Sequence, residues 1–98
     1  MPSRARLEPD ALRALLASVP GWELDGDRLA RTFEFDTYAS GVMFAAACGR
    51  IADTLDHHPD LHIGYRKVRA SVNTHDAGGI TEWDFELARR IDALLERP

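Results

Sequence analysis

Four histidines carry the chemical interest of this 98-residue chain. His57, His58 and His62 cluster, and His75 follows after a further stretch of alternating residues. Asp53 precedes His57 by four residues, about one helical turn, and Asp56 adjoins it. Imidazole is the side chain best suited to moving protons near neutral pH, with an unperturbed pKa of about 6.5. Several imidazoles at one site can divide the work of acid and base, and a neighbouring carboxylate fixes a ring's tautomer. No serine sits in a nucleophile-elbow sequence, Cys48 falls in the apolar stripe of a helix, and Gly78-Gly79 is too short to cradle a phosphate. The residues point to proton transfer without a covalent nucleophile.

Each candidate also has a structural role open to it. His57-His58 before Pro59 could end a helix, where cations favour the dipole. His75 could be a satisfied turn residue. His62 alternates with Leu61 and Ile63 and is expected to face solvent. Asp84 belongs to the phrase Thr81-Glu82-Trp83-Asp84, which reads as a capping box. Trp22 serves either as hairpin core or as a platform at a site's rim. A metal centre built from His57, His58, His75 and Asp53 has adequate ligand chemistry. However, adjacent histidines diverge on most backbones and the spacing matches no metalloprotease or facial-triad pattern. No metal is expected.

The elements that position these groups follow from patterning. Pro9 opens a helix to about Ser18, with Leu12, Leu15, Leu16 and Val19 at helical spacing. Pro20-Gly21 stops it. Trp22 and Leu24 alternate into the turn dipeptide Asp25-Gly26. The next strand runs from Arg28 to Phe35, with Leu29, Phe33 and Phe35 on one face. Arg31 falls on that face too, so it either lies near an edge or reaches a carboxylate. Asp36 or Thr37 caps a long helix. Its apolar stripe is expected at Tyr38, Val42, Ala45, Cys48, Ala52 and Leu55, and Gly41 and Gly49 imply close packing. The helix ends before Pro59. Leu61, Ile63 and Tyr65, then Val68, Ala70 and Val72, alternate as a second strand pair whose last strand closes on His75. A final helix from Thr81 buries Phe85, Ala88, Ile91 and Leu95. The expected class is α+β: a two-layer sandwich with three helices on one face of a four-stranded antiparallel sheet, in the order α-β-β-α-β-β-α.

Residues 1–98 form one expected domain. A chain of this size buries roughly 60–65% of its unfolded surface, so oligomerisation would supplement its core. Net charge is −4, which is not the footprint of a nucleic-acid binder. Arg66, Lys67 and Arg69 read as the solvated face of a strand. No apolar run approaches the roughly 20 residues that span a bilayer, and Met1–Arg6 lacks an apolar signal core. A single cysteine forms no internal disulfide. A cytoplasmic address is the expectation.

Taken together, Asp53-x-x-x-His57-His58-Pro59, Tyr65, His75 and Asp84 resemble the signature of the pterin-4a-carbinolamine dehydratase family. The likeness extends to Pro20-Gly21-Trp22, Arg31-x-Phe33-x-Phe35-Asp36, Thr74-His75-Asp76-x-Gly78-Gly79-Ile80-Thr81 and Leu87-Ala88-x-x-Ile91. It implies the same fold and dimers built by sheet pairing. It also implies substrate contacts from Asp56, His57, His58, Asn73, Thr74, His75 and Asp76, and catalysis by His57, His58 and His75. Asp53 stands where the family usually has glutamate, Leu61 where an aromatic is usual, and Asn73 where serine is common. The pocket edge should differ accordingly.

The expected reaction removes water from 4a-hydroxytetrahydrobiopterin, or a related 4a-hydroxytetrahydropterin, to give the quinonoid dihydropterin. This would recycle the pterin of an aromatic amino-acid hydroxylase. The pterin is substrate, and no cofactor is needed. Proton carriage falls to His58 and His75, with His57 binding or sharing the load and Asp53 orienting a histidine. Trp22 and Asp84 complete the expected substrate contacts. A homodimer or homotetramer is expected, with neither nucleic acid nor membrane as partner. The other readings are a non-catalytic pterin-binding or molybdopterin-associated module and a dimerising partner of transcription factors, the latter needing an exposed helix face.

Overall fold

A computed structural model of the chain describes residues 2–96. The elements are α1 (Pro9–Leu16), β1 (Glu23–Asp25), β2 (Arg28–Glu34), α2 (Tyr38–Leu55), β3 (Asp60–Gly64), β4 (Lys67–Val72) and α3 (Glu82–Ala93). A single 3₁₀ turn, His75–Ala77, lies between β4 and α3. The fold is the α+β sandwich expected, in the expected order.

The sheet is antiparallel throughout, in the spatial order β1-β2-β4-β3. The two hairpins are joined at their inner strands, where Leu29 pairs with Val72 and Phe33 with Val68. β1 and β3 form the edges. One sheet face carries Leu29, Phe33, Val68, Ala70 and Val72, all buried against Phe44, Cys48, Phe85, Ala88 and Ile91 of the helices. The other face is charged: Arg69 on β4 bonds Thr32, Glu23 and Asp25. His62 lies opposite Arg69 on that face, exposed as its alternation predicts.

The first hairpin turns through Gly26-Asp27, with Gly26 at φ 61°. A positive φ at the first loop position suits the mirror-image turns that match strand twist. Arg31 resolves toward a carboxylate. It lies on a central strand and donates to Asp92 Oδ1 at 3.1 Å. Its guanidinium passes so close to Gly21 that a Cβ there would stand 2.9 Å from Cζ.

Several expectations need correction. α1 ends at Leu16, and Ser18 and Val19 instead form tighter i→i−3 bonds to Leu15 and Leu16. Of the two expected caps for α2, Thr37 is the one used, accepting from the Ser40 amide at 3.1 Å. The buried face of α2 runs through Gly41, Phe44, Ala45, Cys48 and Ala52, while Tyr38 and Val42 are exposed. Phe44 decides this rotation. Its ring packs 4.7 Å from Phe33 and 5.0 Å from Phe35, and a wholly apolar ring gains more from burial than a tyrosine, whose hydroxyl needs a partner, or a smaller valine. Gly41 permits it: a Cβ there would touch Val68 Cγ2 at 3.4 Å. Gly49 has no such neighbour among the described residues. Tyr65 leaves its strand for the β3–β4 turn, where Arg66 takes φ 61°. β4 stops at Val72, so His75 opens the 3₁₀ turn instead of ending a strand. Leu95 is exposed beyond the end of α3.

Candidate active site

The site forms where three segments meet: the end of α2, the stretch after β4 and the start of α3. α2 terminates in a Schellman motif. The Asp56 amide bonds the Asp53 carbonyl at 3.3 Å and the His57 amide bonds the Ala52 carbonyl at 3.1 Å. Asp56 occupies the left-handed position, φ 52°, ψ 45°, where glycine is usual and aspartate is among the tolerated residues. His57 and His58 therefore stand just past the helix, and the sharp reversal sends them to different partners.

His57 turns inward. Its Nε2 lies 2.6 Å from Asp84 Oδ1, with the carboxylate wholly buried and the imidazole 11% exposed. Asp84 is a hub. Its Oδ2 accepts from the Thr81 amide at 2.8 Å and the Thr74 hydroxyl at 2.9 Å. Thr81 Oγ1 in turn lies 2.7 Å from Thr74 Oγ1 and accepts from the Trp83 amide. The capping box is thus real, and the same carboxylate also holds an imidazole. The helical cap and the histidine contact are two uses of one residue.

His58 turns outward to Asp53, Nε2 to Oδ1 2.9 Å, and both side chains are largely exposed. His75 sits in the 3₁₀ turn, closed by the Thr74 amide on the Gly79 carbonyl at 2.8 Å. No protein hydrogen bond engages its imidazole among the described residues.

A depression of about 320 Å³ joins these groups, lined by Asp56, His57, His58, Asn73, Thr74, His75 and Asp76 together with Arg4. Asp53 and Asp84 stand behind it, each holding one histidine. Trp22 is elsewhere. It is buried, edge-on to Phe33, with its indole donating to Asp92 at 2.9 Å. Its place in a rim is not met within one chain. Arg4 went unnoticed in the sequence; no local motif marks it, since a separate segment carries it to the site.

Among the described residues no group of three or more histidine, cysteine, aspartate or glutamate side chains is arranged to hold a metal ion. Cys48 is buried in the helix core, its thiol pushed up to about 11 by desolvation against an opposing backbone hydrogen bond. A larger depression of about 520 Å³ between the N-terminal segment and the β1–β2 turn carries no histidine. Among the described residues no helix is long and apolar enough to cross a membrane.

Known proteins resemble this chain in sequence and in fold. A family model for pterin 4 alpha carbinolamine dehydratase matches residues 5–94. A protein of Natronomonas pharaonis named "Putative pterin-4-alpha-carbinolamine dehydratase" is 48% identical over 91 residues, covering 93% of this chain and 97% of that protein. One of the same name from Acidobacterium capsulatum is 42% identical over 91 residues, covering 93% and 99%. The crystal structure of a transcriptional coactivator/pterin dehydratase from Brucella melitensis superposes with a TM-score of 0.87 at 31% identity, over 93% of this chain and 99% of that one. A pterin dehydratase-like protein identified as a RuBisCO assembly factor in the alpha-carboxysome superposes at 0.66 with 25% identity, over 80% and 93%. Spanned almost from end to end by the family model and by relatives of its own length, the chain belongs to the pterin 4 alpha carbinolamine dehydratase family.

Proposed function

We propose that this protein dehydrates 4a-hydroxytetrahydropterins to the quinonoid dihydropterin by histidine acid–base catalysis, recycling the pterin of an aromatic amino-acid hydroxylase. The observation that carries the reading is the convergence of His57, His58 and His75 on one depression, two of them tied to separate carboxylates.

The reaction moves two protons. The 4a-hydroxyl gains one and departs as water; N5 loses one as the double bond forms. A carboxylate accepting from Nε2 leaves the neutral imidazole's Nδ1 with its lone pair, ready to take a proton. His58 meets this condition beside solvent, and His75 has no competing protein partner among the described residues. These two carry the protons, with Asp53 orienting His58. His57, locked against Asp84, holds the substrate. The donor-rich edge of the pterin, its ring N–H and amino group, is matched by Asp56 and Asp76, and Asn73 and Thr74 add further polar groups. The pterin is the substrate and no further cofactor enters the scheme.

The assembly is a homodimer or higher, with β3 as the exposed edge that a second copy's strand would cover. The work is done in the cytoplasm, without nucleic acid or membrane. A binding role has a specific observation in its favour: Tyr38, Val42 and Met43 leave an apolar stripe exposed on α2, the kind of face a helical partner could cover.

Stopped-flow decay of a hydroxylase-generated 4a-carbinolamine tests the enzyme. The wild type should accelerate decay, and His58→Ala or His75→Ala should each lower the rate by about 10²–10⁴-fold. Decay no faster than in buffer, from folded protein, makes the binding role the better account.

A further inference from the structure

The N-terminal segment is not a loose lead-in to α1. The Leu7 amide bonds the Ile80 carbonyl at 2.9 Å, and the Ser3 amide reaches Glu82 Oε1 at 3.4 Å. Arg6 packs on Gly79 so closely that a Cβ there would lie 3.0 Å from its Nε. The segment therefore straps across residues 79–83, the stretch that opens α3 and carries Asp84. The strap delivers Arg4 to the depression holding the three histidines. Its guanidinium lies over the Trp83 ring, Cζ 5.1 Å from the centroid. No carboxylate pairs with it among the described residues. Six other arginines have one, Arg13, Arg28, Arg31, Arg69, Arg89 and Arg90, while among the described residues Arg6, Arg50 and Arg66 do not.

We infer that Arg4 is a specificity-determining residue that binds an anionic substituent, carboxylate or phosphate, on the pterin; this rests on the pterin reading of the site above. The reacting ring must lie against the histidines, whose deep end is the buried His57–Asp84 pair. Arg4 is exposed and stands at the rim, where a substituent leaving the ring emerges. Asp56 and Asp76 also line the depression and repel an anion. They suit the donor edge of the ring, so a negative group has one favourable direction, toward Arg4. Held over the Trp83 ring and paired with no carboxylate among the described residues, the guanidinium keeps N–H donors for contact with an oxyanion. The Trp83 face also holds the group in place, lowering the entropy lost on binding.

The test compares pterin-6-carboxylate with neutral 6-methylpterin by fluorescence titration of the full chain, in wild type, Arg4→Ala and Arg4→Lys. Wild type should prefer the carboxylate, and Arg4→Ala should lose roughly five- to tenfold of affinity for it while binding 6-methylpterin unchanged. Arg4→Lys should recover part of the loss. The preference should shrink between about 0.05 M and about 0.5 M salt. No preference in the wild type, no binding of either pterin, or equal losses for both in Arg4→Ala would overturn the assignment, the last because it marks a purely structural strap. A retained carboxylate preference in a protein that fails to accelerate carbinolamine decay would sink the dehydratase reading alone.

Discussion

On the function proposed above, Asp84 serves stability and chemistry with one side chain. It is fully buried and satisfies His57, the Thr74 hydroxyl and the Thr81 amide at once. Asp84→Ala would strand the buried Thr81 amide and remove a partner from His57 and from the Thr74 hydroxyl, and calorimetry or urea unfolding should show a loss of about 3 kcal/mol. Asp84→Asn keeps the shape and one acceptor. It places an N–H donor opposite His57, forcing the other tautomer, so the rate of carbinolamine decay should fall further than stability does. Equal behaviour of the asparagine variant and wild type would remove Asp84 from the mechanism. Cys48 presents a different case, a titratable group buried in the helix core away from the depression. Its thiol is held protonated up to about 11 by burial. A raised folded pKa contributes stability that is complete below the unfolded value and is lost as pH climbs toward the folded one. Unfolding free energy should therefore decline between about pH 9 and about pH 11, by up to about 3 kcal/mol. In Cys48→Ala the decline should be shallower, and the native thiol should resist alkylation at neutral pH.

At the scale of elements, the end of α2 governs the site. Asp56 in the left-handed region closes the helix and aims His57 and His58 apart. Asp56→Gly adopts that conformation freely, so melting should change by less than about 1 kcal/mol, while any loss of pterin affinity reports the missing carboxylate. Asp56→Val faces a left-handed penalty of about 1–2 kcal/mol or more. It should lower both stability and activity by displacing the histidines. A glycine variant as damaged as the valine variant would show that the side chain, not the backbone, holds the turn.

At the scale of the molecule, the edge strand β3 and the exposed α2 stripe leave apolar surface that a chain of 10.9 kDa can cover by self-association. Ile63 is 41% exposed on the edge and Met43 71% on the helix. Light scattering should give a mass at least twice that of the chain, and Met43→Glu or Ile63→Lys should reduce it. A monomer at micromolar concentration would refute assembly by these surfaces and leave them to other partners.

The sequence by itself determined the layers. Proline positions, period-two alternation and the Thr81 capping box set the type and order of the helices and strands, because each signal acts through neighbours along the chain; the first turn falls one residue later than the Asp25-Gly26 dipeptide predicts, at Gly26-Asp27. The histidine spacing likewise exposed the candidate site, since adjacent imidazoles beside a proline and a downstream aspartate leave a local trace. What acts between distant segments was decided only in three dimensions. The β2–β4 pairing depends on which hairpin edges match in twist and burial. The rotation of α2 depends on room for Phe44 among Phe33, Phe35 and Val68, which put Tyr38 and Val42 outside the core. Trp22 lies away from the depression because Asp92, seventy residues on, captures its indole. Asp84 joins His57, and Arg4 joins the histidines, only when α3, the end of α2 and the N-terminal strap pack together. Such contacts are set by packing and hydrogen-bond satisfaction across the whole fold, and no local pattern encodes them.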